Sequence, residues 1–85
     1  MMLRVRIVTP KQVIFQDEAY SVSSINSDGK FDILPQHANF ITIIENNDIK
    51  ILDSNKKQFN FRFPLAIIYT TNNSVNIYTD INLTQ

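Results

Sequence analysis

The chain is 85 residues long, balances eight Lys+Arg against eight Asp+Glu, and contains one glycine, three prolines and no cysteine. A chain this short buries only roughly 60–65% of the surface its unfolded form exposes, which argues against a deep site for a large ligand. The missing cysteines exclude disulfides, thiolate metal ligands and a cysteine nucleophile, and the scattered basic residues lack the single cationic face that nucleic-acid binding needs.

Leu3, Val5 and Ile7 alternate with Arg4 and Arg6, the period-2 pattern of a half-buried strand with its charges on the wet face. Pro10 closes that run. The opening segment lacks the continuous apolar run of a signal peptide, and no segment approaches the roughly 20 apolar residues of a membrane-spanning helix. Val13-Ile14-Phe15 is a short apolar run closed by Gln16-Asp17-Glu18, and Ala19–Ile25 reads as a further strand. Its phase slips between Val22 and Ile25, which strict alternation puts on opposite faces, so a bulge or a change of sheet is expected there.

Asp28-Gly29 is a turn signal, because glycine accepts positive φ without steric cost. Lys30–Leu34 then reads as a strand stopped by Pro35, which removes a backbone donor and restricts the residue before it. Gln36-His37-Ala38-Asn39 forms a loop, and Phe40–Ile44 is the next strand. Beyond the turn at Glu45–Asp48 come Ile49–Leu52, a turn at Asp53–Lys57, and Phe59, Phe61 and Phe63, which alternate with polar residues and offer three rings to one core. After Pro64, Leu65–Thr70 is apolar enough to be buried on both sides, and Thr71–Ser74 turns into Val75–Thr79. The short tail, 80–85, is expected to fray.

Turn signals recur about every 8–12 residues between short runs of β-formers, as they do in a sandwich or barrel. The expected fold is all-β, a small two-sheet β-sandwich of about ten short strands, with residues 1–85 as a single domain. Leu3, Val5, Ile7, Phe15, Val22, Ile33, Phe59, Phe61, Ile67 and Ile77 are expected to share its core. Ten asparagines accompany the single glycine, and Asn46-Asn47 and Asn72-Asn73 fall where turns want positive φ, a conformation asparagine tolerates best after glycine.

No catalytic constellation is visible. His37 is the only imidazole, and none of the serines at 21, 23, 24, 27, 54 and 74 has a nucleophile-elbow context beside it. Asp28 and Asp32 do not make a metal site, being merely four residues apart across a turn and a strand. The chain is therefore expected to be no enzyme and to hold no metal or cofactor.

Gly29-Lys30-Phe31-Asp32-Ile33-Leu34-Pro35-Gln36-His37-Ala38-Asn39-Phe40-Ile41-Thr42 resembles, without a gap, the signature G-E-(L/F)-G-I-L-P-G-H-A-P-L-(L/I)-T. That signature belongs to the N-terminal domain of the epsilon subunit of F-type ATP synthase. Gly29, Ile33, Leu34, Pro35, His37, Ala38 and Thr42 agree at fixed spacing, and Ile7-Val8-Thr9-Pro10 resembles the family's first strand and its V-(T/S)-P-like step. The departures are Lys30 for an acidic residue, Asp32 and Gln36 for glycines, Asn39 for a proline, Asn46-Asn47 for a Pro-Gly turn, and Pro64-Leu65-Ala66 near a lost Gly-Gly step.

The resemblance implies a rotor component, a ten-stranded sandwich joining the gamma subunit to the c-ring, so that ion flow, taken here as proton flow, drives ATP synthesis. Lys30, Asp32, Gln36, His37, Ala38 and Asn39 would lie at that interface, with an acidic residue of the ring loop opposite Lys30 or with Asp32 as the anchor. It also implies a peripheral place on the cytoplasmic face of an energy-transducing membrane. Relatives continue into an inhibitory, in some cases ATP-binding, helical hairpin where this sequence stops, so neither inhibition nor nucleotide binding is expected of these 85 residues. The alternative is a generic β-sandwich interaction module outside any ATP synthase, since fold alone does not fix function.

Overall fold

The computed structural model describes residues 1–80. Eight strands follow one another: β1 (Leu3–Val8), β2 (Val13–Asn26), β3 (Gly29–Ile33), β4 (Phe40–Ile44), β5 (Asp48–Asp53), β6 (Gln58–Arg62), β7 (Ala66–Thr71) and β8 (Ser74–Thr79). No helix occurs among the described residues. The hydrogen-bonded order is β4-β7-β8-β1-β2-β5-β6, with β3 attached to β2. All pairs are antiparallel except β1 and β8, which run parallel with Val5 opposite Val75 and Ile7 opposite Ile77.

The strand count is eight rather than about ten, in part because Gln16-Asp17-Glu18 does not interrupt the chain. It continues as strand, with Gln16 opposite Arg6 and Glu18 opposite Arg4, so polar side chains face outward from both partners and nothing breaks the ladder. The resulting 14-residue β2 organises the fold. Its first half pairs with β1 through Ala19, and its second half pairs with β3 from Val22 onward. β5 lies along the other side, opposite Ala19 and residues 21–23. β1 and β3 thus occupy one edge of β2 in succession, and the sheet divides there into two walls.

The walls close on each other through their inner faces. Phe15 on β2 meets Phe59 and Phe61 on β6 edge-on, with centroids 5.1 and 5.3 Å apart, and Phe31 on β3 meets Phe40 on β4 at 5.3 Å. Between them lie Leu3, Val5, Ile7, Val22, Ile33, Ile49, Ile51, Ile68, Val75 and Ile77, all fully buried. Each such aliphatic side chain contributes about 1.5–3 kcal/mol relative to exposure.

Two expectations about phase need correcting. The slip in β2 lies upstream of Val22, where the register against β5 shifts between Ala19 and Ser21. That bulge lets Ala19 and Val22, three residues apart, both face the core, while Ser24 follows Val22 inward and Ile25 is 37% exposed. β7 is not buried on both sides either. It alternates, so Ala66, Ile68 and Thr70 are buried while Ile67 and Tyr69 are exposed, and Ile68 takes the core place expected of Ile67. Phe15, Phe59 and Phe61 pack on the core as partly buried side chains at its margin.

The turns show how the chain manages with one glycine. Asn46, Asn72 and Asn73 adopt φ of 54°, 49° and 63°, as their positions suggested, but Asn47 does not, and Gln36 and Lys56 join them at 67° and 64°. Two positive-φ residues between paired Thr71 and Ser74 make the β7–β8 connection a type I′ hairpin. At β5–β6, buried Asp53 accepts the Asn55 and Lys57 amides at 2.9 and 2.8 Å, fixing the turn that Lys56 completes.

Candidate interaction surfaces

The loop between β3 and β4 is built on a tight turn. The His37 amide donates to the Leu34 carbonyl at 3.1 Å, Pro35 stands at the second position and Gln36 at the third with φ 67°. Proline followed by positive φ is the signature of a type II turn, whose third position favours glycine. The side-chain Oδ1 of Asn73 accepts the Gln36 amide at 2.6 Å, tying this turn to the β7–β8 hairpin.

His37 is half-buried. Its Nδ1 lies 2.8 Å from the Ala38 carbonyl, which can only accept, so that nitrogen carries the proton. The ring also stands edge-on to Phe40, 5.5 Å between centroids. The imidazole is therefore held by adjacent backbone and aromatic packing. Ala38 and Asn39 are exposed beside it.

Lys30 and Asp32 lie on the outer face of β3, on the same side because they are two residues apart. They share it with Ser23 on β2, and with Lys50, Asp48 and Arg62 around a shallow groove. The Ser23 hydroxyl donates to the Asp32 carboxylate. Arg62 pairs with Asp48 at 2.9 Å, the only ion pair among the described residues, and being exposed it contributes about 0–1 kcal/mol. Of the six residues expected at one interface, Lys30 and Asp32 lie on β3, and Gln36, His37, Ala38 and Asn39 lie in the loop that follows it.

A third surface was not legible as such. On the outer side of the β4-β7-β8 wall, Ile41, Ile43, Leu65, Ile67, Tyr69 and Tyr78 are all exposed, Ile41 to 66%. They are contiguous, since Ile41 pairs with Tyr69, Ile43 with Ile67, and Ile67 with Tyr78. Ile67 borders two grooves, one with Pro10, Pro64, Leu65 and Tyr78 and the other with Ile25, Ile41 and Ile43. Adjacent large apolar side chains on one sheet face make it a candidate interaction site. The signal in the sequence was that Phe40–Ile44 and Leu65–Tyr69 are apolar at odd and even positions alike, which reads equally well as burial on two faces or as one core face and one docking face.

Among the described residues no group of His, Asp and Glu converges to hold a metal ion. What these surfaces offer is contact: an apolar sheet face, a mixed-charge sheet face and a rigid polar loop.

Comparison with known proteins agrees with the signature. The family described as "ATP synthase, Delta/Epsilon chain, beta-sandwich domain" matches residues 2–83. The ATP synthase epsilon chain of Campylobacter concisus is 42% identical over 55 residues, covering 65% of this chain and 43% of that protein. The epsilon chain of Protochlamydia amoebophila is 26% identical over 80 residues, 94% of this chain and 54% of the relative. The chain thus spans about half the length of the curated relatives it matches. Among solved structures, a chain of the Euglena gracilis mitochondrial ATP synthase superposes with a TM-score of 0.83 at 11% identity, covering 92% of this chain and 50% of that one. A chain from the Tetrahymena thermophila mitochondrial ATP synthase central stalk and c-ring gives 0.78 at 10% identity, covering 95% and 65%. At such identities the likeness concerns the fold.

Proposed function

Because the chain belongs to the delta/epsilon β-sandwich family of ATP synthase, we propose that it is a non-catalytic central-stalk subunit that joins the gamma subunit to the c-ring. The observation that carries this reading is the exposed apolar face of β4, β7 and β8. A small domain that leaves six large apolar side chains in water on one face is incomplete alone, and a stalk partner that covers it removes that surface from solvent. The polar surfaces suit the second contact: Lys30 and Asp32 on their strand, and Gln36, His37, Ala38 and Asn39 on a turn held rigid by Pro35 and Asn73. The subunit would sit peripherally on the cytoplasmic side of an energy-transducing membrane and act mechanically during proton-driven synthesis. No helix among the described residues is long and apolar enough to cross a membrane.

The test is co-assembly. Tagged chain, expressed with the gamma subunit and c-ring of its own organism, is expected to co-purify with both. Its double variant Ile43→Asp with Ile67→Asp should fold but lose gamma. A chain that elutes apart from gamma and ring under all ionic conditions would reject the reading in favour of an unrelated interaction module.

A further inference from the structure

The apolar face is not electrically uniform, and the strand registers show how its charges are arranged. Side chains on the outer side form rows across four adjacent strands. One row runs Ile43, Ile67, Tyr78 and Val8; the next runs Ile41, Tyr69, Asn76 and Arg6. A third brings Thr71 and Ser74 to Arg4. The two arginines therefore stand at one corner of the apolar patch, with Arg6 beside its central row. Arg4 donates to the Ser74 hydroxyl at 3.0 Å. Glu18 stands opposite Arg4 on β2, yet the only ion pair among the described residues lies elsewhere, at Arg62 and Asp48.

At the opposite end the sign reverses. Glu45 follows Ile43 by two residues and borders the groove with Ile41, Ile43 and Ile67. Asp80 follows Tyr78 by two and borders the groove with Leu65, Ile67 and Tyr78. Both are exposed and stand just past the last residues of β4 and β8, whose partner Ala66 follows Leu65 in the chain. The apolar patch is thus framed at one corner by two guanidinium groups, of which Arg4 has Glu18 opposite it and Arg6 has only the uncharged Gln16, and by carboxylates along the far edge.

Hydrophobic attraction has no direction. A flat patch of isoleucine and tyrosine can hold a partner in several orientations, whereas charges at its margin penalise all but the complementary one and steer encounter. We infer that the partner covering this face is of opposite polarity: an apolar ridge with a carboxylate placed over Arg4 and Arg6 and a cationic side chain at the edge marked by Glu45 and Asp80. This rests on the reading that a stalk subunit covers the face. It adds which way round that subunit lies, and which of its residues set the orientation.

The probe is the gamma subunit of the same ATP synthase, with affinity measured at low and at physiological salt. Wild-type affinity should fall as salt rises. Arg4→Glu with Arg6→Glu should weaken binding about tenfold or more and flatten that dependence, and Glu45→Lys with Asp80→Lys should do the same. All four residues are exposed, so thermal melts of the variants should match wild type; if a reversed pair unfolds, Arg6→Gln and Glu45→Gln serve instead, each with a smaller loss in the same direction. If both reversed pairs keep wild-type affinity and salt dependence while Ile67→Asp abolishes binding, the polarity is overturned and the apolar docking face stands. If Ile67→Asp also binds normally, the stalk reading itself fails. If the chain alone forms a dimer that Ile67→Asp dissolves and gamma does not displace, a second copy covers the face and the inference is overturned.

Discussion

Asn73 and Gln36, 37 residues apart in sequence, are joined by a 2.6 Å hydrogen bond from the Gln36 amide to the Asn73 side-chain oxygen. Asn73 is the second residue of a type I′ hairpin at φ 63°, a position where glycine is strongly favoured. Its side chain is what glycine would lack. Asn73→Gly should therefore keep the hairpin but release the Pro35 turn, at a cost of about 0.5–1.5 kcal/mol for the lost hydrogen bond. Asn73→Asp, which preserves the acceptor, should retain most of it. Amide exchange at Gln36 and His37 checks the point: protection that is unchanged in Asn73→Gly would show that the turn stands without the tie.

Gln36 itself explains one departure from the family signature. The glycine of the signature falls on the third position of a type II turn, and Gln36 occupies it at φ 67°. A left-handed conformation costs a side-chain-bearing residue roughly 1–2 kcal/mol, partly offset by the greater chain entropy that glycine loses on folding. Gln36→Gly should stabilise the domain by about 0.5–1 kcal/mol. Lys56→Gly, at φ 64° in the β5–β6 turn, should add a similar amount independently, because the two turns share no contact given by the hydrogen bonds at either site. Urea midpoints of both single variants and the double variant decide it; lower midpoints would mean that the side chains matter more than the backbone.

How much of this was legible in advance depends on what each residue had to satisfy. The ends of strand β4, Phe40–Ile44, are legible because Asn39 and Glu45 bracket a run of β-formers. The six core residues Leu3, Val5, Ile7, Val22, Ile33 and Ile77 are all fully buried, since alternation with polar neighbours assigns a face without ambiguity. Alternation fails when both faces are apolar. That is why Ile68 takes the place expected of Ile67, and why the exposed apolar face is not legible: a core on one side and an apolar outer face on the other leave the same mark as two core faces. The continuity of β2 was missed for a different reason. Gln16-Asp17-Glu18 looks like a turn alone and becomes a strand through its antiparallel pairing with Arg4–Arg6 of β1, a pairing not marked by any local pattern. Pro35 marks the loop that carries His37, but the anchoring of the ring on Phe40 follows from tertiary packing.

Thr70 offers a test of core chemistry. It is fully buried on the inner face of β7, opposite Phe40 and Val75, and its hydroxyl has no hydrogen-bond partner among the described residues. Leaving such a group unsatisfied costs about 1–3 kcal/mol, whereas a methyl of nearly the same shape costs nothing to desolvate. Thr70→Val is expected to stabilise the fold by about 1 kcal/mol, and Thr70→Ser, which keeps the hydroxyl and removes the methyl, to destabilise it by a similar amount. Thermal melts read both. A destabilised valine variant would show that the hydroxyl is satisfied in solution, for instance by a bound water.

Lys30 and Asp32 share a face but not a situation. Asp32 is engaged by the Ser23 hydroxyl from the neighbouring strand, and Lys50 stands opposite Ser23 on its other side, so the carboxylate already has a donor and a nearby positive charge. No hydrogen bond or ion pair engages Lys30 among the described residues, although Asp32 shares its face, and it stands opposite the uncharged Ile25. If this face meets the ring, the lysine is the group left to respond to what the ring presents. Lys30→Glu should therefore change affinity for the assembled ring several-fold and alter its salt dependence, since like charges juxtaposed at an interface can cost several kcal/mol. Asp32→Asn should change it less, because a neutral amide can still accept from Ser23. The direction of the Lys30→Glu effect identifies the partner: weaker binding means an acidic ring loop, tighter binding a basic one. Binding of each variant to ring and stalk, measured at two salt concentrations, separates these cases. Equal and negligible effects would mean that neither side chain is an anchor, and that any contact with the ring rests on the rigid loop from Gln36 to Asn39.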